Sequence, residues 1–373
     1  MTETRVDLDL DTPAIVIDAE GMQQNILGMA GIAASRGVAL RPHVKTHKIP
    51  SVARRQREAG AAGITVAKVS EAEVMADGGL DDIFVAYPLV TETKIRRALG
   101  IVKRDVRVIL GVDSLRGARR LSSLARDENI TVEVRLEVDS GLGRTGVPRE
   151  QAARLAKDIS ALEHLDLTGV YTYRGAVLED GSPTRDLEEA GHREGEFMIS
   201  LANEIRETGV PIADVSLGST PTAEHAAKVE GVTEIRPGTY VFYDRMQAEM
   251  GACSLSECAL RVVATVVSRP RPELAIIDGG SKTFATDVQP KVAPLSLTGF
   301  GYVVGHPEAI LERVTEEHGM LSVDEDSDLR VGDVVEIIPN HVCSTVNLHD
   351  EVYLRTADGG TEKVPVAARG MVR

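Results

Sequence analysis

A lysine flanked by two histidines is the first candidate for chemistry in this chain. Lys45 lies in the run Arg41-Pro-His-Val-Lys-Thr-His-Lys48. A lysine that forms imines must be neutral part of the time, and burial near other cations favours the neutral amine. His43, His47 and Lys48 could supply that setting, with the histidines as candidate groups for proton transfer. A basic surface turn has the same composition, so the run alone leaves both interpretations open.

Two turns further along have the composition of phosphate-binding loops. One is Leu217-Gly-Ser-Thr-Pro-Thr222 and the other is Arg236-Pro-Gly-Thr-Tyr240, and each directly follows a predicted strand. Small residues let backbone N–H groups approach a phosphate, and hydroxyl groups add donors. Each turn alone is also an ordinary loop, but two such turns at neighbouring strand ends favour a phosphate site. The candidate residues are Gly218, Ser219, Thr220, Arg236, Gly238, Thr239 and Tyr240.

A glycine-rich segment, Glu137-Val-Asp-Ser-Gly-Leu-Gly-Arg-Thr-Gly146, follows another predicted strand. Arg144 in this segment could reach the centre of a site and donate to an oxygen on a ring. A flexible loop with a solvated arginine explains the same residues.

A histidine and a cysteine two positions apart form a candidate metal pair. His341 and Cys343 lie in Pro339-Asn-His-Val-Cys-Ser-Thr-Val-Asn-Leu-His-Asp350. On a strand they would share a face and could ligate one divalent ion. Imidazole and thiolate suit Zn²⁺ better than Mg²⁺ or Mn²⁺. His349 and Asp350 could support the ligands or form a turn, and a cysteine is often simply a small buried residue.

The composition excludes several classes of function. The 373-residue chain has a formal net charge of −15, which argues against a basic nucleic-acid footprint or an anionic membrane surface. No apolar run is long enough to span a membrane, and the acidic N-terminus lacks the apolar core of a signal peptide. Three cysteines without short-spaced pairs predict a cytoplasmic protein without a disulfide framework.

The elements that position these residues alternate between strand and helix. Short loops connect eight β-branched runs to amphipathic segments before about residue 240, which predicts a parallel sheet. Eight units in about 200 residues favour a closed (β/α)8 TIM barrel over an open sheet, which is the alternative. The predicted strands are Ala39–Pro42, Gly63–Ala67, Ile83–Tyr87, Arg107–Gly111, Val132–Val138, Gly169–Thr172, Ala213–Leu217 and Glu234–Arg236. The predicted helices include Ser51–Ala59, Glu71–Asp77, Leu115–Ala125, Glu150–Ile159 and Leu187–Glu207.

The pattern changes after about residue 245, where strands separated by turns rich in Gly, Pro and Asp predict a mainly β domain. We therefore expect a barrel over residues 13–245 and a β domain over residues 246–373, which residues 1–18 could join through a strand at Ala14–Ile17. The predicted strands of this domain are Ala259–Ser268, Leu274–Asp278, Asp333–Ile338 and Glu351–Arg355.

Taken together, these segments resemble the D-threonine aldolase / D-serine dehydratase family, from Asp11-Thr-Pro13 to Ala-Arg-Gly370. The resemblance implies an alanine racemase-like fold and pyridoxal 5′-phosphate (PLP) held as a Schiff base by Lys45. It implies a phosphate cup at Gly218-Ser-Thr220 and Gly238-Thr-Tyr240, and Arg144 near the phenolic oxygen of PLP. Tyr173, in Tyr171-Thr-Tyr-Arg-Gly175, would approach the cofactor ring. His341 and Cys343 would hold the divalent metal, Zn or Mn, and a homodimer is expected.

Two features differ between subfamilies. The position of Cys343 holds Asp in well-known D-threonine aldolases and Cys in zinc-dependent D-serine dehydratases, yet the following run, Thr345-Val-Asn-Leu-His-Asp350, is more similar to the aldolases. Arg174 stands where aldolases of the family often carry His. The general base is therefore open among His43, His47 and a hydroxide on the metal.

The resemblance implies a lyase that acts on small D-amino acids. The leading hypothesis is retro-aldol cleavage of D-β-hydroxy-α-amino acids, with D-threonine as the reference substrate. The second is dehydration of D-serine to pyruvate and ammonia. An amino-acid racemase would need no metal pair, and a non-catalytic PLP carrier usually lacks the second domain. Both are therefore less favoured.

Overall fold

The computed structural model describes residues 10–174, 178–179, 182–183, 186–293 and 295–373. The acidic residues 1–9 and Gly175 of the tyrosine-containing segment lie outside the described residues. Contacts between Cα atoms divide the chain into two compact units. The barrel unit comprises residues 26–179, 184–238 and 370–373, and the sheet unit comprises the described parts of 1–25, 180–183 and 239–369. The expected domain boundary at residue 245 stays a prediction.

Strands and helices alternate along the chain up to residue 238. In order, they are β1 (Ala14–Asp18), α1 (Ala19–Arg36), β2 (Ala39–Leu40), α2 (Pro50–Glu58), β3 (Ile64–Val66), α3 (Val69–Asp77), β4 (Asp82–Val85), α4 (Glu92–Val102), β5 (Arg107–Val112), α5 (Leu115–Asp127), β6 (Val132–Glu137), α6 (Arg149–Ser160), β7 (Leu165–Tyr171), β8 (Leu178–Glu179), β9 (Ser182–Pro183), α7 (Leu187–Glu207), β10 (Asp214–Leu217), α8 (Ala223–Ala226) and β11 (Glu234–Ile235).

The remaining elements are mostly strands. They are α9 (Arg245–Glu249), β12 (Leu260–Arg271), β13 (Leu274–Ile277), β14 (Gly301–Val303), β15 (Ile310–Val314), β16 (Gly319–Ser322), β17 (Val334–Pro339), α10 (Val342–Val346), β18 (Glu351–Arg355) and β19 (Thr361–Pro365).

The barrel unit contains a parallel sheet of eight strands in the part of the chain that the structure describes. Their order is β2-β11-β10-β7-β6-β5-β4-β3. A parallel bridge between His43 and Thr65 links the two end strands, and the Thr65 N–H donates to the carbonyl of Pro42 at 2.7 Å. The sheet therefore closes, and the predicted (β/α)8 barrel is confirmed. The open-sheet alternative is wrong because its two edges would remain unpaired.

Charged side chains form a network inside the barrel unit. Glu234 accepts from Arg135 Nη1 at 2.5 Å and from Arg41 Nε at 2.7 Å. Arg135 also contacts Asp214 at 2.9 Å, and Arg41 pairs with Asp82. Burial raises the pKa of Glu234, but the two arginines lower it more, to about 2. The network thus keeps this carboxyl group ionised.

The sheet unit has a mainly antiparallel sheet of nine strands within the described ranges. Their order is β13-β16-β15-β14-β17-β12-β1-β18-β19. β1 pairs antiparallel with β12 and parallel with β18, so the first described strand of the chain belongs to this sheet. Among the described residues, no helix is both long and apolar enough to cross a membrane.

Candidate active site

Lys45 lies in a short 3₁₀ turn, Val44–Thr46, in the loop that follows β2. The turn is closed by the Lys48 N–H, which donates to the carbonyl of Val44 at 2.8 Å. Because β2 is a strand of a parallel barrel, this loop is at the carboxyl end of the strands, where barrel enzymes place their active sites. The structure thus puts the predicted lysine at the expected end of the barrel.

Two predicted cations meet at one aromatic ring. Lys45 Nζ lies 5.5 Å from the ring centroid of Tyr173, and the guanidinium carbon of Arg144 lies 4.9 Å from it. These distances allow cation–π attraction. Three residues that the sequence predicts for one site, from the loops after β2, β6 and β7, are therefore close together.

The loop that carries Arg144 has internal order. Asp139 Oδ1 accepts the N–H of Gly141 at 2.9 Å and the N–H of Gly143 at 3.1 Å. Val147 closes the base of the loop, since its N–H donates to the carbonyl of Glu137 at 2.9 Å. The interpretation as a loop without fixed structure is therefore not favoured, although Arg144 itself is exposed.

His43 is a partly buried residue with one buried ring nitrogen, Nδ1. Its Nδ1 has no hydrogen-bond partner. Burial lowers the pKa of His43 well below its usual value, and the charges of Lys45, Arg236 and Arg144 lower it further. His43 is therefore neutral at neutral pH. Nδ1 has a lone pair in the tautomer that carries the proton on Nε2.

His47 differs from His43 because both of its ring nitrogens are engaged. Nδ1 accepts the N–H of Ile49 at 3.0 Å, and Nε2 pairs with Gln56 Oε1 at 3.2 Å. Burial lowers its pKa to about 4. His47 thus shapes the turn, and its geometry does not favour the predicted role in proton transfer.

The expectation that Lys48 adds positive charge around Lys45 needs correction. Lys48 Nζ pairs with Glu71 Oε1 at 3.2 Å, and both side chains are buried. Its charge is therefore compensated. No local pattern indicates this pair, because Glu71 lies 23 positions away at the start of α3.

The turn after β10 uses several of its backbone N–H groups internally. The Ser219 N–H donates to Thr222 Oγ1 at 3.1 Å, and the N–H groups of Thr222 and Ala223 donate to the Ser219 carbonyl. Ser219 and Thr220 are each 9% exposed. A phosphate here would therefore rely on hydroxyl groups more than the sequence interpretation assumed.

Arg236 and Gly238 take different places in the barrel unit. Arg236 Nε donates to Ser216 Oγ at 2.7 Å, and its Nη2 donates to the carbonyl of Thr172. Arg236 is thus held against the strand that leads to Tyr173. A Cβ at position 238 would lie 3.0 Å from the carbonyl oxygen of His43, so glycine allows the loop after β11 to contact the lysine turn.

Thr239 and Tyr240, predicted to join the phosphate cup, belong to the sheet unit. Tyr240 is fully buried. Thr239 Oγ1 lies 3.8 Å from Cys343 Sγ, so this hydroxyl contacts a predicted metal ligand.

His341 and Cys343 do not lie on a strand, which was the geometry considered for the pair from the sequence. β17 ends at Pro339, His341 is the N-cap of α10, and Cys343 lies in the first turn of that helix. Proline has no N–H to continue the ladder, which favours the end of the strand here. The two side chains nevertheless form a hydrogen bond, so the pair converges through a helix N-terminus.

Asp287 supports the histidine, and sequence reasoning missed it. His341 Nδ1 lies 2.6 Å from Asp287 Oδ2, which also accepts from Ser344 Oγ at 3.0 Å. A carboxylate on one ring nitrogen orients a ligating histidine through the other. Burial lowers the pKa of His341, but Cys343 and Asp287 raise it more, so the net value is well above the usual one.

His349 and Asp350 do not take the supporting role that the sequence allowed. His349 Nε2 pairs with the carbonyl of Thr283 at 3.1 Å, and Asp350 pairs with Arg369 at 3.1 Å. Across the described ranges, no group of three or more His, Cys, Asp and Glu side chains is arranged to hold a metal ion. A metal on His341 and Cys343 would therefore take its other ligands from elsewhere, such as water.

The donor set of the barrel unit fits an anionic, ring-containing cofactor. It combines the Lys45 amine, the Arg144 guanidinium and the Tyr173 ring with an unpartnered buried nitrogen on His43. The sheet unit separately offers imidazole and thiolate, which are ligands of zinc and similar ions.

A parallel (β/α)8 barrel followed by a β domain, with a lysine after the first barrel strand, is an alanine racemase-like fold. The family model described as "Alanine racemase, N-terminal domain" matches residues 17–246, and "Putative serine dehydratase domain" matches residues 259–355. D-threo-3-hydroxyaspartate dehydratase of Delftia sp. is 34% identical over 95% of this chain and 97% of its own length. D-threonine aldolase of Arthrobacter sp. is 30% identical over 98% and 94%, respectively.

Solved structures agree with these matches. A variant of D-threo-3-hydroxyaspartate dehydratase in the metal-free form has a TM-score of 0.89 and 33% identity over 96% of this chain and 97% of that chain. The chain belongs to the D-threonine aldolase / D-serine dehydratase family, as the resemblance in its sequence predicted.

Proposed function

We propose that this chain is a PLP- and divalent-metal-dependent lyase that cleaves D-β-hydroxy-α-amino acids to glycine and an aldehyde, as D-threonine aldolase does. The observation that carries the proposal is the convergence of Lys45 and Arg144 on the ring of Tyr173, beside the unpartnered nitrogen of His43. Bound PLP supplies an electron sink for the electron pair released when a bond to Cα breaks.

In this proposal each candidate residue of the barrel unit has one role in binding the cofactor. Lys45 would attach the cofactor through Nζ, Arg144 would donate to its phenolic oxygen, and Tyr173 would pack against its ring. Ser219 and Thr220 would hold the phosphate through their hydroxyl groups. The positive charges of Lys45 and Arg144 favour an anionic ligand in a chain whose net charge is −15.

His43 is the general base that we propose within the barrel unit. Cleavage between Cα and Cβ requires removal of the β-hydroxyl proton. A neutral imidazole with a free lone pair on Nδ1 can accept that proton. The same two properties set His43 apart from His47, whose nitrogens are already engaged.

We assign the divalent ion to His341 and Cys343. A bound Zn²⁺ or Mn²⁺ would act as a Lewis acid for a hydroxyl or carbonyl oxygen. Asp287 would hold the imidazole in the orientation that leaves Nε2 for the ion. A homodimer and a cytoplasmic location stay predictions.

The second candidate is a dehydratase that removes the α-proton and expels the β-hydroxyl group, as in a D-serine dehydratase. Two observations favour it. The metal pair contains Cys343 rather than a carboxylate, and a dehydratase of Delftia sp. is 34% identical to this chain. The substrate would then be an amino acid with a second carboxylate, such as 3-hydroxyaspartate, or one without it, such as D-serine.

One assay separates these functions. Purified protein with PLP is incubated with D-threonine and D-serine, with and without chelator and with added Zn²⁺ or Mn²⁺. We expect glycine and acetaldehyde from D-threonine, in a reaction that needs the metal. Pyruvate or 2-oxobutanoate with ammonia would support the dehydratase instead, and appearance of the L-enantiomer alone would support a racemase.

The first prediction concerns Lys45. In Lys45→Ala we expect loss of the absorbance band of the protein-bound cofactor and of all lyase activity, because the amine that attaches PLP is absent. Lys157→Ala changes an exposed lysine on α6 and serves as the matched control. A full absorbance band in Lys45→Ala, or none in the unmodified protein, would refute the proposal.

A further inference from the structure

A buried carboxylate on α7 has no role in the site as assigned so far. Glu194 is 2% exposed, although glutamate is rarely so buried without partners. It belongs to the barrel unit, on the helix that precedes β10 and the candidate phosphate turn. Its hydrogen-bond partners therefore indicate which segment it stabilises.

The hydrogen bonds of Glu194 lead to the turn after β10. Thr222 Oγ1 donates to Glu194 Oε2 at 3.1 Å, and the backbone N–H of Gly218 donates to the same carboxylate. Thr222 Oγ1 in turn accepts the Ser219 N–H at 3.1 Å and lies 3.0 Å from Ser219 Oγ. The carboxylate thus holds both the first residue of the turn and the hydroxyl that organises its second residue.

The direction of these hydrogen bonds follows from the number of protons. A threonine hydroxyl has one proton, and an ionised carboxylate can only accept. Charge-assisted hydrogen bonds are also the stronger ones, so the Thr222 proton is directed at Glu194. Ser219 keeps its own hydroxyl proton, for which a phosphate oxygen is a better acceptor than the Thr222 oxygen.

Close packing keeps α7 and the turn in register. A Cβ at Gly191 would lie 2.6 Å from the Cβ of His225 and 2.9 Å from the carbonyl oxygen of Thr222. Glycine at this position therefore lets the helix approach the end of the turn. Glu194 is three residues further along the helix, on the same face.

Two arginines favour the ionised form of this buried carboxylate. Burial raises the pKa of Glu194, and the hydrogen bonds from Thr222 and Gly218 and the charges of Arg236 and Arg174 offset part of this rise, so that the net pKa lies above its usual value. The two arginines also offset part of the repulsion between this carboxylate and a phosphate dianion.

We propose that Glu194 is a positioning residue for the phosphate group of the cofactor. Through Thr222 and the Gly218 N–H, it fixes the turn at residues 218–222 so that the Ser219 hydroxyl donates to the phosphate. This inference rests on the proposed PLP-dependent function. Glu194 itself does not contact the cofactor.

The test compares binding of PLP with binding of pyridoxal, which lacks the phosphate. Glu194→Gln keeps the size of the side chain but leaves only one acceptor oxygen for two donors. We expect its affinity for PLP to fall roughly 10- to 100-fold, as for loss of a hydrogen bond to a charged group, with its affinity for pyridoxal unchanged. Thr222→Val should show the same selective loss, and Thr222→Ser should bind PLP as the unmodified protein does.

Glu196→Gln, on the exposed side of the same helix, is the matched control and should bind both compounds normally. Equal affinity of Glu194→Gln and the unmodified protein for PLP would overturn the inference while leaving the proposed function intact. An equal loss for PLP and pyridoxal would also overturn it, because the effect would then be a general disturbance of the barrel. Absence of PLP binding in the unmodified protein would overturn both.

Discussion

At the residue scale, two histidines from one short run have opposite properties. His43 and His47 flank Lys45 symmetrically in the sequence, and in the structure His47 is buried and His43 is partly buried. The nitrogens of His47 bind Ile49 and Gln56, whereas Nδ1 of His43 has no partner. Only the contacts of each ring separate a structural histidine from a candidate base.

The prediction for His43 follows from its neutral state. In His43→Gln we expect kcat to fall about 10²- to 10⁴-fold, the usual contribution of a general base, with PLP still bound. A base acts in its neutral form, so activity is present above its pKa and is lost as the pH falls through it. Because the pKa of His43 is well below 6.5, this loss lies on the acidic side of that value in the unmodified protein.

The measurement is the pH dependence of kcat, with His318→Gln, an exposed histidine of the sheet unit, as the control. An unchanged kcat in His43→Gln would assign the proton transfer to another group.

At the element scale, the metal pair depends on a change from strand to helix. The sequence pattern around His341 and Cys343 was compatible with a strand, but Pro339 ends β17 and α10 begins three residues later. Asp244 holds this junction, because Oδ2 accepts the N–H of Val342 at 3.0 Å and Oδ1 caps α9 at Gln247, 2.9 Å away.

The prediction for this junction is that Asp244→Ala weakens metal binding without removing a ligand. The loss of two hydrogen bonds to buried N–H groups should cost roughly 1–3 kcal/mol in the free energy of unfolding. We also expect a lower affinity for Zn²⁺, because the turn that carries His341 is no longer fixed. Competition with a chromogenic chelator measures that affinity.

Asp326→Asn changes an exposed carboxylate of the same unit and should leave both quantities unchanged. Normal Zn²⁺ affinity in Asp244→Ala would show that α10 keeps its start without this contact.

At the scale of the whole molecule, the stability of the barrel depends on ion pairs between residues that are distant in the sequence. Glu234 comes from β11, Arg135 from β6 and Arg41 follows β2, yet they form one buried network. The alternation of strands and helices predicted the barrel, but not which charges would meet inside it.

The prediction for this network is that Glu234→Gln lowers the free energy of unfolding more than the loss of an exposed ion pair does. The contacts of Glu234 lower its pKa to about 2, from 4.5 for a glutamate without contacts. This difference corresponds to roughly 3 kcal/mol in the free energy of unfolding at neutral pH. A carboxyl with a lowered pKa stabilises the fold above about pH 4.5, and this contribution is lost as the pH falls towards 2. Urea unfolding at pH 7 and at lower pH measures it.

Glu128→Gln removes the partner of Lys103 in an exposed ion pair and should lower the free energy of unfolding much less, because solvent screens this ion pair. Equal losses in the two variants would contradict a special role for the buried network.

The sequence by itself determined the order of the barrel strands, the end of the barrel at which Lys45 lies, and the family. These features depend on local periodicity and on short runs such as the one around Lys45, which neighbouring residues specify. Boundaries were accurate for α7, at Leu187–Glu207, and less accurate for β7, which begins at Leu165 rather than Gly169.

Only the tertiary structure decided which side chains contact one another. Asp287 reaches His341 from 54 positions away, Glu71 neutralises Lys48, and Glu194 holds the turn at Gly218. Each contact joins segments that are distant in the sequence, and it arises from the packing of whole elements, which local patterns do not encode. The same reason explains why His341 and Cys343 meet at the start of a helix and not on a strand.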